Sequence, residues 1–307
     1  MSETLLWQLM RGALATRTTA VVAELGVADA LADGPRPVAE ISEEVGADAG
    51  TLDRYLRALA GEGVFAELEP GVYRNTELSE RLRLGTAENA FAQLYGGVWF
   101  GAAGSLDARG EKTFDGDFWE WLADHPRERA LFDLAMEDGK RLRVDRLAGI
   151  EWHEGETVVD VGGGNGSLLL ELFERRAGLR GVVLDLPETV RDEQALAAAG
   201  IEFVPGSFFQ RVPRADTYIL GTVLHNWPDE EAAAILRTIR SHARPGARVL
   251  VLDWVVDRAD GSPWLDLLGS ALYGAHERTE AEWRTLFDAA GLGLEAVGER
   301  LLQATCP

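Results

Sequence analysis

Residues 157–172, Thr157-Val158-Val159-Asp160-Val161-Gly162-Gly163-Gly164-Asn165-Gly166-Ser167-Leu168-Leu169-Leu170-Glu171-Leu172, run a short β-branched stretch into a glycine turn and out into a helical pattern. Glycine there permits positive φ and lets a ligand approach the backbone with no Cβ in the way. Such a strand–turn–helix unit suits an adenosine-containing cofactor. Its details bear on which one. A dinucleotide fingerprint asks for glycine where Ser167 stands, and Asp160, directly before the turn, suits a cationic ligand better than a pyrophosphate. Roughly twenty residues further on, Gly181-Val182-Val183-Leu184 reads as a second strand ending in Asp185, the place for a ribose-hydroxyl acceptor.

From Val158 onward, strand and helix patterns alternate. Val158–Val161, Val182–Leu184, Thr217–Leu220 and Val249–Leu252 read as strands, separated by helical segments near Leu168–Arg175, Arg191–Ala199 and Glu230–Ala243. That order predicts an α/β fold with a mostly parallel, doubly wound sheet, whose ligands bind beyond the carboxyl ends of the strands, where Asp185, His225 and Asp253 lie. The first third has a different rhythm. Leu5 to Leu31 is apolar at helical spacing, through Leu6, Met10, Leu14, Val21, Val22 and Leu25. Two short helices follow, starting near Pro37 and Leu52, and then a hairpin around Pro70-Gly71. This is a winged-helix pattern. Arg54 and Arg57 are flanked by Asp53 and Glu62, and Glu40, Glu43 and Glu44 lie nearby, so no basic stripe exists to read DNA.

The 307 residues allow one large or two ordinary domains. A formal net charge of −21 argues against nucleic acid or an anionic membrane as a partner. No apolar run approaches the ~20 residues of a transmembrane helix, and no basic-then-apolar signal pattern opens the chain. Cys306 is the single cysteine, which rules out a disulfide framework. The expectation is a cytoplasmic protein.

In order and spacing, the chain resembles the S-adenosylmethionine-dependent O-methyltransferases of the plant and bacterial natural-product type. The resemblance rests on the winged-helix region, Val159–Gly166, Leu184-Asp185-Leu186-Pro187, Gly206-Ser207-Phe208-Phe209, Leu224-His225-Asn226-Trp227-Pro228-Asp229-Glu230 and Glu277-Arg278-Thr279. It implies a homodimer, with a dimerisation domain over 1–95, a Rossmann-like methyltransferase domain over 96–307, and a small-molecule acceptor. Asp160, Gly162 and Gly164 would face the methionine part of the cofactor, Asp185 the ribose, and Leu186, Ser207 and Phe208 the adenine. The family often has Asp where Ser207 stands and Lys where Gly221 stands. His225 matches the general base, flanked by Asp253 and Glu277. The chemistry agrees with that role: a phenol titrates near ~10 and needs its proton removed, which imidazole does at neutral pH. Trp99, Trp121 and Met136 are candidates for the acceptor site, together with Phe100, Phe118 and Tyr273.

Two departures from the family pattern support a second reading. His276 stands where Arg or Lys is usual, and Arg109 where Thr or Ser is more frequent. His225 and His276 would then hold a metal and Arg109 a carboxylate, as in the branch that C-methylates 2-oxo acids. Other classes fit less well: an NAD oxidoreductase conflicts with Ser167, and a DNA-binding regulator with the charge.

Overall fold

The structure is a computed structural model that describes residues 5–109, 112–137, 140–189, 191–257, 262–298 and 300–307. The chain divides into two compact units, Met1–Gly104 with Ala130–Met136, and Ser105–Arg129 with Glu137–Pro307.

The first unit opens with α1 (Leu5–Glu24). The apolar spacing predicts one helix to Leu31, but the chain breaks earlier. Gly26 sits at φ 70, a left-handed conformation that ends a helix, and Val27–Ala30 resumes as a separate turn. Helices α2 (Val38–Val45) and α3 (Ala49–Gly61) follow as expected, the second capped by the Asp48 carboxylate on the Thr51 N–H. The hairpin joins β1 (Phe65–Glu69) to β2 (Val72–Asn75) in the register Phe65↔Asn75, and Arg36–Pro37 adds a short third strand beside β2. Leu31, Ile41, Leu52, Leu56, Phe65 and Tyr73 form the buried centre of this winged helix. Helix α4 (Ala87–Gly96) packs on α1, where the Arg17 guanidinium donates to the Gly96 carbonyl at 3.0 Å. Part of α1 remains uncovered: Leu5, Leu6, Trp7, Leu9, Met10 and Leu14 are 54–73 % exposed.

The second unit carries α5 (Phe118–Asp124), then β3 (Thr157–Val161), α6 (Ser167–Arg175), β4 (Arg180–Asp185), α7 (Glu193–Ala198), β5 (Ile201–Pro205), β6 (Thr217–Gly221), α8 (Asp229–His242), β7 (Arg248–Leu252), α9 (Pro263–Tyr273), α10 (Glu280–Ala289), β8 (Gly293–Val297) and β9 (Leu302–Thr305). Seven strands among the described residues form one sheet in the order β5-β4-β3-β6-β7-β9-β8. The first five run parallel, and β9 and β8 are antiparallel. The predicted strands are all present, and three more were not read from the sequence. In β5 the apolar run is interrupted by Glu202 and ends in Pro205 at a sheet edge, where one side of the ladder is free. Strand β8 is the other edge and is largely solvent-facing, so its Gly-Leu-Glu-Ala-Val lacks a buried-strand pattern. Strand β9 is only four residues long, yet Leu302 and Ala304 are fully buried between β7 and β8.

Val159, Val161, Tyr218, Leu220, Val249 and Val251 point to one face of the sheet and pack under α8 and α10, while Val158, Ile219 and Leu250 point to the other with Leu168, Leu169 and Leu172 of α6. Both faces are covered, which is why these strands are nearly all apolar. The exception is Asp160, where β3 reaches the glycine turn.

Candidate active site

At the end of β3 the Asp160 side chain is 2 % exposed, and its Oδ2 has no hydrogen-bond partner among the described residues. Burial pushes this carboxyl up to about 7; Asp185 adds to the shift and Arg143 opposes it. The turn that follows is built for close approach. Gly162 has φ 70, and a Cβ there would stand 3.0 Å from the Val223 side chain and 3.3 Å from Phe208. Gly164 has φ 59, and nothing lies within 4 Å of where its Cβ would be. The Gly162 N–H donates to the Leu184 carbonyl at 2.8 Å, and the Gly164 N–H to Asp185 Oδ2 at 2.7 Å. Oδ1 of Asp185 accepts from the Leu186 N–H at 2.7 Å and from the Thr189 hydroxyl at 3.0 Å, and the buried Arg129 guanidinium in turn donates to Thr189 Oγ1. The Asn165 side chain accepts from the Ser167 N–H just before α6, and its amide donates to Glu137. Ser207 and Phe208 follow β5, where the Gly206 N–H donates to the Asp185 carbonyl. Asp160, Gly162, Gly164, Asp185, Leu186 and Phe208 are thus brought together as the sequence predicts. Thr189, Arg129 and Glu137 are members that the sequence reading missed, because none lies in a glycine-turn pattern.

The second cluster gathers at the ends of β6 and β7. Thr222 follows β6 with φ 58, a left-handed conformation rare for a β-branched residue. Its N–H donates to the Leu252 carbonyl, tying the two strand ends together, and its carbonyl accepts from the Asn226 amide. A single 3₁₀ turn, Leu224–Asn226, then presents His225. The His225 Nδ1 lies 2.8 Å from Glu277 Oε1 and 4.0 Å from Asp253 Oδ1, and its ring stacks on Trp254 at 5.4 Å between centroids. Asp253 and Glu277 are buried, and neither Asp253 oxygen nor Oε2 of Glu277 has a hydrogen-bond partner among the described residues. Burial pulls the imidazolium down, but the charge of Asp253 and the Glu277 bond outweigh it, so His225 titrates above its ordinary value. Burial pushes Asp253 up to about 7, with Glu277 adding to the shift and His225 and Arg278 opposing it. The three residues named from the sequence therefore meet, although 52 positions separate His225 from Glu277.

A run of aromatic ring contacts joins the clusters. Phe208 meets Trp227 edge-on at 5.9 Å, Trp227 stacks with Trp119 at 6.3 Å, and Trp119 lies parallel to Tyr273 at 5.6 Å. Trp121 belongs to the same aromatic group through Phe114 and Phe118 and stacks on His125. In the sequence, Trp119 and Trp121 flank Glu120 and could as easily pack inside as face a ligand, and Trp227 stands only as part of the His225 motif. Trp99 and Met136 belong to the first unit, where Trp99 is buried against Phe91 and Tyr95.

The family model for the O-methyltransferase domain matches residues 86–293, and that for the O-methyltransferase dimerisation domain residues 7–83. This chain belongs to the O-methyltransferase family. It is 33 % identical over 314 residues to the phenazine O-methyltransferase PhzM of Lysobacter antibioticus, covering 96 % of this chain and 92 % of that one. The crystal structure of LaPhzM superposes with a TM-score of 0.91 at 32 % identity, covering 99 % of this chain and 98 % of that one. NcsB1, an O-methyltransferase from neocarzinostatin biosynthesis solved with S-adenosyl-L-homocysteine and 1,4-dihydroxy-2-naphthoic acid, superposes with a TM-score of 0.79 at 32 % identity, covering 94 % of each chain.

The chain is accordingly an S-adenosylmethionine-dependent O-methyltransferase of the natural-product type, and its residues fit that cofactor. The open face at Gly164, the orphaned oxygen of buried Asp160 and the carboxylate of Asp185 at the end of β4 give the turn room for a ligand and acidic groups that would suit a cationic, hydroxyl-bearing one. Among the described residues no helix is long and apolar enough to cross a membrane. The two-histidine metal reading gains no support. His276 faces Asp229 at 3.9 Å, and no group of three His, Cys, Asp or Glu that could hold a metal occurs among the described residues. Arg109, the expected carboxylate clamp, is 73 % exposed and paired with Asp107. On the winged helix, Arg57 is paired with Asp53 and Arg36 with Glu44.

Proposed function

We propose that this O-methyltransferase methylates a phenolic hydroxyl of a small fused-ring aromatic acceptor, with His225 as the general base. The single observation behind this reading is the 2.8 Å bond between His225 Nδ1 and Glu277. A carboxylate there holds the Nδ1–H tautomer, so the lone pair of Nε2 is the one available for a proton. S-Adenosylmethionine, when bound, supplies an electrophilic methyl group. His225 takes the phenolic proton at Nε2, and the Asp253 and Glu277 carboxyl groups stabilise the imidazolium that results. The acidic pair raises the basicity of His225, which suits an acceptor with a pKa of ~10. Asp160, Gly162 and Gly164 would hold the methionine part of the cofactor, Asp185 the ribose, and Leu186, Ser207 and Phe208 the adenine. The aromatic path through Trp227, Trp119 and Tyr273, with Trp121, suits a planar acceptor, as do relatives named for phenazine and co-crystallised with a naphthoic acid.

His225→Ala is expected to bind S-adenosylhomocysteine as the wild type does and to lose about a thousandfold in kcat on a hydroxynaphthoate or hydroxyphenazine acceptor. Full turnover in that variant would remove His225 from the chemistry.

In the same reading, residues 1–95 form the dimerisation domain of a homodimer and 96–307 the methyltransferase domain. The support is the run of exposed apolar side chains on α1, too large a patch for a helix that stays in water. A Met10→Glu/Leu14→Glu pair should turn a dimeric light-scattering mass into a monomeric one; a mass that stays dimeric would move the interface elsewhere.

A further inference from the structure

Among the described residues, Arg278 is the largest charged side chain that is fully buried, at 0 % exposure, and the proton transfer described above gives it no part. Its guanidinium donates from Nη1 to the Leu224 carbonyl at 3.0 Å, from Nη2 to the Trp227 carbonyl at 2.7 Å, and from Nε to Asp229 Oδ1 at 2.9 Å. Leu224 precedes His225 and Trp227 follows it by two residues, so one planar fork spans the turn that presents the imidazole. The main chain of Arg278 completes the join. Its carbonyl accepts from the Val256 N–H at 2.9 Å, three residues beyond Asp253, and its neighbour in sequence is Glu277. Arg278 thus bonds to, or lies beside, each of the three segments that bring His225, Asp253 and Glu277 together. The guanidinium also lies over the Trp283 ring at 5.2 Å, and the Trp283 indole donates to the carbonyl of Trp254, the residue stacked on His225.

We infer that Arg278 is a positioning residue for proton transfer: its three-donor fork fixes the His225 turn against Glu277, so that Nδ1 stays on the carboxylate and Nε2 faces the acceptor. This rests on the reading of His225 as the base. Lysine cannot replace it, because a single ammonium on a flexible stem cannot span two carbonyls and a carboxylate in one plane. The charge has a second effect. His225 is faced by Asp253 from the loop after β7 and by Glu277 and Arg278 from the turn before α10. Asp229 of α8 lies behind the guanidinium, with His276 at 3.9 Å from it, and Asp266 of α9 accepts from the Glu277 N–H. In that net-acidic surrounding Arg278 is the cation that opposes protonation of His225.

The test compares Arg278→Lys and Arg278→Met with His225→Asn, reading kcat, KM for acceptor, S-adenosylhomocysteine affinity by calorimetry, the pH dependence of kcat, and histidine ¹⁵N shifts. Arg278→Lys should lose roughly tenfold to a hundredfold in kcat. Cofactor affinity should stay within about threefold of wild type, the variation expected when no ligand contact is touched. The ¹⁵N shifts should show His225 leaving the pure Nδ1–H tautomer, with the acid limb of kcat at or below its wild-type pH, since the cation is kept and the Glu277 bond is weakened. Arg278→Met should lose as much in kcat, with that limb at higher pH than in Arg278→Lys, since the opposing charge is gone. If Arg278→Met does not fold, Asp229→Ala, which removes only the exposed anchor of the fork, should still weaken the tautomer preference with cofactor affinity unchanged. A wild-type kcat and tautomer in Arg278→Lys and Asp229→Ala, with His225→Asn inactive, overturns the inference and leaves the base reading standing. So does an equal fall in cofactor affinity and kcat, the sign of a merely structural role. Activity retained in His225→Asn overturns the base reading itself.

Discussion

The glycine-turn cluster and the His225 cluster lie at the same end of one sheet and are built in opposite ways. Around Asp160 and Asp185, most of the bonds are donated by backbone N–H groups within residues 162–186, from Gly162 to the Leu184 carbonyl and from Gly164 and Leu186 to the Asp185 carboxylate, with Arg129 reaching Thr189 from farther along the chain. Around His225, the decisive contacts are made by side chains that reach distant segments: Glu277 to the His225 imidazole, and Arg278 to the Leu224 and Trp227 carbonyls and the Asp229 carboxylate. The first cluster follows once β3, the turn and β4 form. The second exists only after β6, β7 and the turn before α10 have docked. In the proposed reading, binding rests on local geometry and proton transfer on tertiary geometry, and substitutions should separate the two.

The largest expected separation is the one already set out for His225→Ala, in which turnover collapses and cofactor binding does not. Asp185→Ala should show the converse. Losing a charged acceptor for a hydroxyl weakens S-adenosylhomocysteine binding by roughly tenfold to a hundredfold in a calorimetric titration, with kcat at saturating cofactor much less changed. Equal losses of binding and kcat in either variant would erase the distinction between the clusters. Asp253→Asn sharpens it through pH. Asp253 raises the basicity of His225, so its loss should move the acid limb of kcat to lower pH. Its own carboxyl is raised to about 7 in the folded chain, so the stability tied to its protonated form is present at low pH and is lost as pH rises from about 4 to about 7. The asparagine variant should gain melting temperature relative to wild type at pH 8 and less so at pH 5. A gain that is larger at pH 5 would contradict the burial argument.

The same division decides what could be read without a structure. The turn at Gly162–Gly166 and Asp185 announce themselves because their chemistry is contiguous, and the parallel strands because both their faces are apolar. His225 carries a local sign, lying just beyond a strand and before the helix opened by Pro228. Asp253 and Glu277 could be named only through resemblance to a family, since no spacing in one chain shows that they converge. The fork of Arg278 and the stack of Trp119 on Trp227 and Tyr273 are invisible in the sequence for the same reason. So are β5, β8 and β9, which are edge strands or very short and owe their form to their neighbours. The break in the first helix was missed for a local reason: Gly26 sits within a pattern whose apolar spacing continues across it.

Thr222 stands where two selective pressures, heat and turnover, act in opposite directions. A β-branched residue held at φ 58 between β6 and the His225 turn is a conformational cost that glycine would relieve, by roughly 1 kcal/mol. Thr222→Gly should therefore raise the melting temperature by a few degrees. It should also lower kcat, because the strand end would no longer dictate where the turn begins. A library sorted only for survival after heating would enrich that substitution, and one sorted for product formation would discard it. Deep sequencing of both pools, with opposite drift at this one codon, would mark position 222 as a place where durability and turnover pull the protein apart.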